Sequence, residues 1–447
     1  MVIDSKLIEN GISVELIAKL IDKHRNLYER YNKLQKYYNG DHAIMHRVKA
    51  SNGTANNKIV CNHAKYITDV TSSYIIGNPV SYSASEGYDI EALKNSYLVQ
   101  DIASLDFELV KGMSIYGRAY ELIYANDNSE PVSCTIDPHS AFVVYDNSCN
   151  NIPLFGVYYY TRYDIDGNVI GISATVYTKD RIYSYSGRND NYYNLTLDTE
   201  IPHYFGAVPL IEYRNNGECQ GDFEQSISLI DAYNTLMSDR VNDKEQFVDA
   251  FLFLSGIEID SEEAKKLKEE KILMGYDGAS AEYLSKVMTE SDIEVLRNNL
   301  EEDIHHFSMV PNLSDDEFGN NLSGVAIKYK LMCFEQMAKN KERYFAKGLK
   351  QRFVIYNAFL AIKGVMGTVP VHRVDFIFKR NLPANNLENA QMISYLAGLV
   401  TNETLLSQLD FVGDPKEEAE LVKSEQLTQT VNTAKAVNAS YREPEYE

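Results

Sequence analysis

The feature that most constrains this chain is the stretch from Asp222 to Ile362, where two helical patterns bracket a short strand-and-helix module and a polar loop leads into a third, very long helical pattern. From Asp222 to about Phe253, the residues Ile227, Ile230, Tyr233, Leu236 or Met237, Val241, Phe247 and Phe251 recur near helical spacing. FLFLSGIEI then reads as a strand, Asp260 to Lys271 as a short helix, and ILMGYD and AEYLSKVM as two further strands. A second helix is predicted from the capping pattern Thr289-x-x-Asp292 to Pro311. The third, from about Ser323 to Ile362, would be roughly 60 Å long at the usual rise per residue. An arm that reaches out and returns, with a finger at its turn, suits a ring subunit better than an enzyme.

Between the last two helices lies NLSDDEFGNNLSG, residues 312 to 324, whose Asn, Asp, Ser and Gly supply turns. Taken alone it is a helix-to-helix connection. Its surroundings are more specific: Glu290 to Leu322 carries nine carboxylates (Glu290, Asp292, Glu294, Glu301, Glu302, Asp303, Asp315, Asp316, Glu317) against Arg297. A solvated face usually mixes signs. On the long helix, Lys339, Arg343, Lys347 and Lys350 stack along one face beside an apolar stripe of Phe345, Leu349, Phe353, Tyr356 and Leu360. That basic row reads as a contact with DNA or with an acidic neighbouring subunit, the latter preferred, or simply as a solvated face.

The N-terminal region predicts a helix from about Ser13 to Tyr38, with Leu16, Ile17, Leu20, Ile21, Leu27, Tyr28, Tyr31, Leu34 and Tyr38 on one face and Gly40 as its stop. Its Lys and Arg residues are diluted by Glu15, Asp22 and Glu29, which favours packing over membrane or DNA contact. From Ala119 to Arg214 the pattern turns to strands: AYELIYA, AFVVYD, LFGVYYYTRYD, VIGISATVYT and RIYSYS. The dense tyrosines there read as half-buried strand residues, because no basic groove accompanies them for base stacking. DIDGN (164 to 168) lacks the closing acid of a calcium loop and reads as a hairpin turn. HRVDFIFKRNLP (372 to 383) predicts a strand returning to the same sheet. Helices follow at Asn386 to Leu399, at Asn402 to Leu409 capped by Thr401, and from Pro415 capped by Asp414, before a polar, acidic end.

The chain has 447 residues, 44% of them hydrophobic, so it can bury a sizeable core in two or more subdomains. A net charge of −21 argues against gripping nucleic acid over the whole surface, since phosphate affinity comes from Lys and Arg. Five widely spaced cysteines without a C-x-x-C pair suit free thiols in a reducing cytoplasm. No apolar run approaches the ~18 residues that span a bilayer. Phosphate-loop, H-E-x-x-H and G-x-S-x-G motifs are missing, so the expectation is no enzyme, no cofactor and no metal. His305 and His306, adjacent on a helix, diverge by about 100° and cannot share a metal.

Several segments in order resemble the portal proteins of tailed bacteriophages, of the long-tailed type that infects Gram-positive bacteria. They are NNKIVCNHAKYITDVTSSYIIGNPVSYS (56 to 83), GMSIYGRAYELIYAN (112 to 126), IDPHSAFVVYD (136 to 146), HYFGAVPLIEYRNN (203 to 216) and GDFEQSISLIDAYNTLMSDRVNDKEQFVDAFLFLSG (221 to 256). The resemblance implies an α+β portal fold. Residues 1 to 221 would be an N-terminal wing, 222 to 253 and 290 to 311 the stem helices, and 254 to 289 the clip. Residues 312 to 324 would be a tunnel loop, 325 to 383 a spine helix with the wing's return strand, 384 to 435 the crown, and 436 to 447 a disordered tail.

It further implies a ring, of twelve subunits, at one capsid vertex, through which double-stranded DNA is packaged and ejected. The implied partners are terminase, a head-completion or tail adaptor, and the major capsid and scaffolding proteins, with assembly in the host cytoplasm and no membrane. On this reading Asn312, Ser314, Asp315, Asp316, Glu317, Phe318, Asn320 and Asn321 belong to the tunnel loop, and Asp292, Glu294, Glu301 and Glu302 line the stem. A minor head protein, or a hydrolase acting on DNA or sugar, is the alternative.

Overall fold

The computed structural model describes residues 1–48, 55–188, 191–248, 251–255, 280–284, 290–313, 327, 329–380, 386–409, 412 and 415–440. Helices α1 (Val14–Arg25) and α2 (Tyr28–Tyr38) open the chain where one helix was expected. The break follows from what each half packs against. Ile17, Ala18, Leu20 and Ile21 of α1 lie on a six-stranded sheet, while Leu34 and Tyr37 of α2 join a helical core. At the joint Leu27 N–H donates to His24 O, a tightened last turn, and the helix restarts at Tyr28. The buried His24 anchors the first half, its Nδ1 2.7 Å from the Tyr159 hydroxyl.

After α3 (His63–Ile76), α4 (Glu91–Val99) and α5 (Ile102–Tyr116), the strands expected from the tyrosine-rich pattern form two sheets. The larger runs β1 (Val2–Ile3), β5 (Ala141–Asp146), β6 (Pro153–Tyr163), β7 (Val169–Tyr177), β8 (Arg181–Gly187), β9 (Thr196–Pro202), in that spatial order. The smaller places β3 (Arg118–Ala125) between β10 (Leu210–Arg214) and β4 (Pro131–Ile136). The DIDGN turn closes the β6–β7 hairpin, with Asp164 accepting from the amides of Asp166 and Asn168 and Gly167 at φ 84°.

Strand alternation gives each sheet two jobs. Phe142, Val144, Phe155, Val157 and Tyr159 face α1, whereas Val143 and Tyr145 face the smaller sheet, meeting Tyr120, Leu122 and Leu210. On β3 the intervening residues Ala119 and Ile123 turn to the opposite side, into a core built around α8 (Met332–Ile362) with Leu349, Phe353 and Tyr356. Before α8, residues 327, 329 and 330 are also helical and Leu331 (φ −85°, ψ −1°) forms a turn between them and α8, its buried side chain joining Phe334, Ala338 and Ile304; the expected start at Ser323 lies outside the described residues.

The return strand also departs from expectation. β13 (Val374–Ile377) pairs antiparallel with β2 (Ser81–Ala84), apart from the larger sheets, because Val374 and Phe376 pack on the α8 core beside Tyr82. Further helices are α9 (Asn386–Leu396), α10 (Asn402–Leu406) and α11 (Pro415–Ser440). Thr401 caps α10 as expected, accepting from Thr404 N–H at 3.3 Å. Helix α11 continues to Ser440, beyond the predicted start of a disordered tail at residue 436.

Candidate functional site

Helix α6 (Ile227–Val248) and helix α7 (Glu290–Ser308) leave the α+β body as a pair, each close to its expected bounds. Beyond them β11 (Phe251–Ser255) and β12 (Ser280–Leu284) pair antiparallel, from Phe251 opposite Leu284 to Ser255 opposite Ser280. The rest of the module expected between the two helices, including the helix from Asp260 and the strand ILMGYD, lies outside the described residues.

Two polar contacts fix the pairing of α6 and α7. Arg240 binds Glu294 at 3.0 Å and Tyr233 donates to Glu301 at 3.4 Å, so residue number rises along one helix as it falls along the other. The pair is antiparallel. The opposite side of α6 is polar for a different reason. Asn234, Ser238 and Asn242, each one turn from the next, accept from the amides of Cys61, Ile59 and Asn57 at 2.8, 2.9 and 2.7 Å. Four helical residues rise about 6 Å and two extended residues about 6.6 Å, so the two periodicities match. Asn234 also donates to His42 Nδ1 (2.8 Å), and the other His42 nitrogen lies 2.8 Å from Tyr37 O.

The expected acidic lining divides in two. Glu294 and Glu301 turn toward α6, with Arg297 adding a 2.7 Å pair to Glu294. Asp292 and Glu302 are exposed, as is Asp303, on a face shared with Val295, Leu296 and Phe307. Phe307 and Val295 each leave 59% of their surface uncovered, which is a large apolar exposure for one helix face. Asn312 donates to Glu301 at 2.9 Å. Ser314, Asp315, Asp316, Glu317, Phe318, Asn320 and Asn321 lie outside the described residues. His305 contacts Val310 O at 2.9 Å and His306 is exposed, so the two diverge.

On α8 the basic row is exposed at Lys339, Arg343, Lys347 and Lys350. Lys339 pairs with Glu335 (3.4 Å) and the Lys347 ammonium sits over the Tyr344 ring, 4.7 Å from its centroid. Arg343, Lys347 and Lys350 have no carboxylate partner among the described residues.

Two other cations of the same helix are the functional-looking residues that pattern reasoning missed. Arg352 is fully buried between Asp106 (2.6 Å) and Glu121 (2.8 Å), and Lys341 is buried against Asp222 (2.7 Å) and Ser114. Burial pushes the Asp106 carboxyl up to about 6 in spite of Arg352, and pushes Lys341 down against the pull of Asp222. Arg352 is held well above its ordinary value, burial opposing and its two carboxylates outweighing it. Their signal was phase: Lys341, Phe345, Leu349, Arg352 and Tyr356 share one side of α8, so both cations interrupt an apolar stripe. Each ties α8 to the body; neither lies at the helix pair.

Among the described residues no group of three or more His, Cys, Asp or Glu side chains is disposed to hold a metal, and no helix is long and apolar enough to cross a membrane.

The sequence pattern of the family described as phage portal protein, SPP1 Gp6-like, matches residues 17–430. The chain belongs to that family. It is similar to the portal protein of Bacillus phage SPP1, 24% identical over 437 residues that cover 92% of this chain and 86% of the relative. It is also similar to the portal protein of Clostridium phage phiCD119, 22% identical over 426 residues, covering 88% and 91% respectively. Both hosts are Gram-positive, as the sequence resemblance implied. Portal proteins are structural parts of the virion and not enzymes, which accounts for a chain whose buried charges serve packing.

Proposed function

We propose that this portal subunit assembles into a ring at one capsid vertex and forms the conduit through which double-stranded DNA is packaged and later ejected. The observation that carries the reading is the antiparallel α6–α7 pair, whose outer face mixes Val295, Leu296 and Phe307 with Asp292, Glu302 and Asp303. A lone chain leaves those apolar side chains in water; a ring of copies gives each α7 a neighbour to bury them. The carboxylates on the same helix then lie beside the channel, where like charge keeps phosphates from binding.

In this assignment α6 and α7 are the stem, 254–289 the clip that meets terminase and later the tail adaptor, and 312–324 the tunnel loop. The α+β body with α8 is the wing and spine, and the C-terminal helices the crown. Twelve copies form the ring, which nucleates with scaffolding and major capsid proteins in the host cytoplasm. The exposed row Arg343, Lys347 and Lys350 meets carboxylates of a neighbouring subunit, because a chain of net charge −21 offers acidic surface far more readily than cations.

The test is DNA packaged per particle in phage carrying Asp315, Asp316 and Glu317 all replaced by Lys. Rings should form normally while packaging drops, since each added cation can hold a phosphate. Normal packaging with normal rings would remove this loop from the channel.

A further inference from the structure

Residues 309–313, where α7 ends, form an elbow on which side chains from three helices converge. Met309 takes left-handed backbone geometry (φ 58°), a conformation that a residue with a side chain holds only where its surroundings impose it. Val310 O lies 2.9 Å from His305 Nδ1, and Val310 N–H donates to Ser308 Oγ at 3.4 Å. Asn312 is strapped to Glu301, and through it to Tyr233 of α6.

The remaining strap comes from the body. Tyr66 of α3 donates its hydroxyl to Pro311 O (3.1 Å) and accepts from Leu313 N–H (2.8 Å). α7 ends at Ser308, so the carbonyl of 311 and the amide of 313 lie beyond its ladder and take a partner outside the helix. A phenol hydroxyl both donates and accepts, and one oxygen therefore serves both groups. The ring is held as well: Tyr66 meets His305 edge-on at 5.5 Å, and His63 meets His305 at 5.7 Å and Tyr233 at 4.9 Å.

We infer that Tyr66 is a positioning residue for the conduit: its hydroxyl fixes the direction in which the chain leaves α7 at Leu313, tying that exit to the α+β body as well as to the helix pair. The inference rests on the proposed channel role of the segment beyond Asn312. Without the Tyr66 hydroxyl the elbow keeps the buried Val310 and the contacts of His305, Ser308 and Glu301, but the carbonyl of 311 and the amide of 313, the last groups before the exit, lose their shared partner on α3.

The experiment compares wild-type rings with Tyr66→Phe rings, which keep the aromatic packing and lose only the hydroxyl. Backbone amide exchange at Leu313 should rise roughly fivefold, the loss of one ordinary hydrogen bond, with amides of α3 unchanged. Ring yield and melting should match wild type, and DNA per particle should fall by half or more. An unchanged Leu313 amide would overturn the strap. Faster exchange with normal packaging in intact rings would overturn the positioning role. Should Tyr66→Phe rings form poorly, Asn312→Ala loosens the same elbow from the other side, and normal packaging by its rings would equally overturn the role. The exchange measurement needs no DNA, so its outcome stands apart from the channel reading, which fails separately if DNA-filled heads form without this chain.

Discussion

Replacing Gly348 with Ala sets two effects against each other on α8. Ala is favoured over Gly in a helix interior by about 1 kcal/mol, so propensity alone predicts a gain in stability. The neighbourhood predicts the reverse. A Cβ at 348 would lie 2.2, 2.4 and 2.7 Å from Cε1, Cδ1 and Cζ of Tyr213. The two shortest separations fall about 1 Å or more short of ordinary carbon contact, so the ring must shift by about that much. Tyr213 has little freedom to do so. It is completely buried, donates its hydroxyl to Glu121 at 2.5 Å, and lies against Phe345 with Arg352 over its face.

Overpacking of this kind costs about 1 to 3 kcal/mol. Movement of the ring also stretches a hydrogen bond to a buried carboxylate, worth roughly 1.5 to 3 kcal/mol. Less the propensity gain, Gly348→Ala should destabilise the chain by about 1.5 to 5 kcal/mol. The assay is the urea midpoint at fixed protein concentration, since ring formation adds its own stabilisation. Adding Tyr213→Val should recover part of the loss by opening the space. A Gly348→Ala protein as stable as wild type, or about 1 kcal/mol more stable, would show that the ring yields freely and refute the argument.

Burial pushes the His24 imidazole down to about 3, so the folded chain keeps it neutral while the unfolded chain protonates it below pH 6.5. Stability is therefore lost as pH falls through this window, by about 2 kcal/mol at pH 5 from this residue, and His24→Gln should flatten that part of a urea midpoint-against-pH curve. Ser238→Ala leaves the Ile59 amide without its acceptor and should cost about 1 to 3 kcal/mol in the same assay, whereas an exposed control such as Thr235→Ala should cost under 1. Replacing Arg343, Lys347 and Lys350 together with Glu should cut ring yield at 0.15 M salt, and raising salt should weaken wild-type rings; unaffected yield would detach this row from the subunit interface.

The strands from residue 118 to 214 and the helices α6 and α7 were legible because each buries one periodic face, and periodicity is what a sequence displays. The single N-terminal helix was misread for the same reason. Its apolar residues keep helical phase through Asn26 and Leu27, yet the two halves pack on different partners, and only tertiary structure contains that fact. The return strand fared alike: alternation announces a strand and says nothing of which edge it joins. Asn234, Ser238 and Asn242 were invisible to a search for apolar stripes, since their partners are backbone amides of an extended segment over 170 residues away, with no pattern of its own.

The two sets of cations on α8 show how far phase can be pushed as evidence. Lys339, Arg343, Lys347 and Lys350 were found as a row because they share a face, and that face is indeed exposed. Lys341 and Arg352 differ from them only in lying a fraction of a turn away, among Phe345, Leu349 and Tyr356. That displacement decides everything about their energetics. A cation in water tolerates the absence of a partner; a buried one requires carboxylates placed for it, and Asp106, Glu121 and Asp222 arrive from α5, β3 and the entry to α6. Breaking such a pair strands the partner charge, typically at 3 to 5 kcal/mol. The helix that spans the body is thus fastened at two points, 11 residues apart, by Arg352 to α5 and β3 and by Lys341 to the segment that enters α6. Asp222 lies only five residues before α6, so the Lys341 pair joins the long helix to the base of that pair. The charge that makes this joint was readable in the sequence as the one kind of residue that does not belong in an apolar stripe.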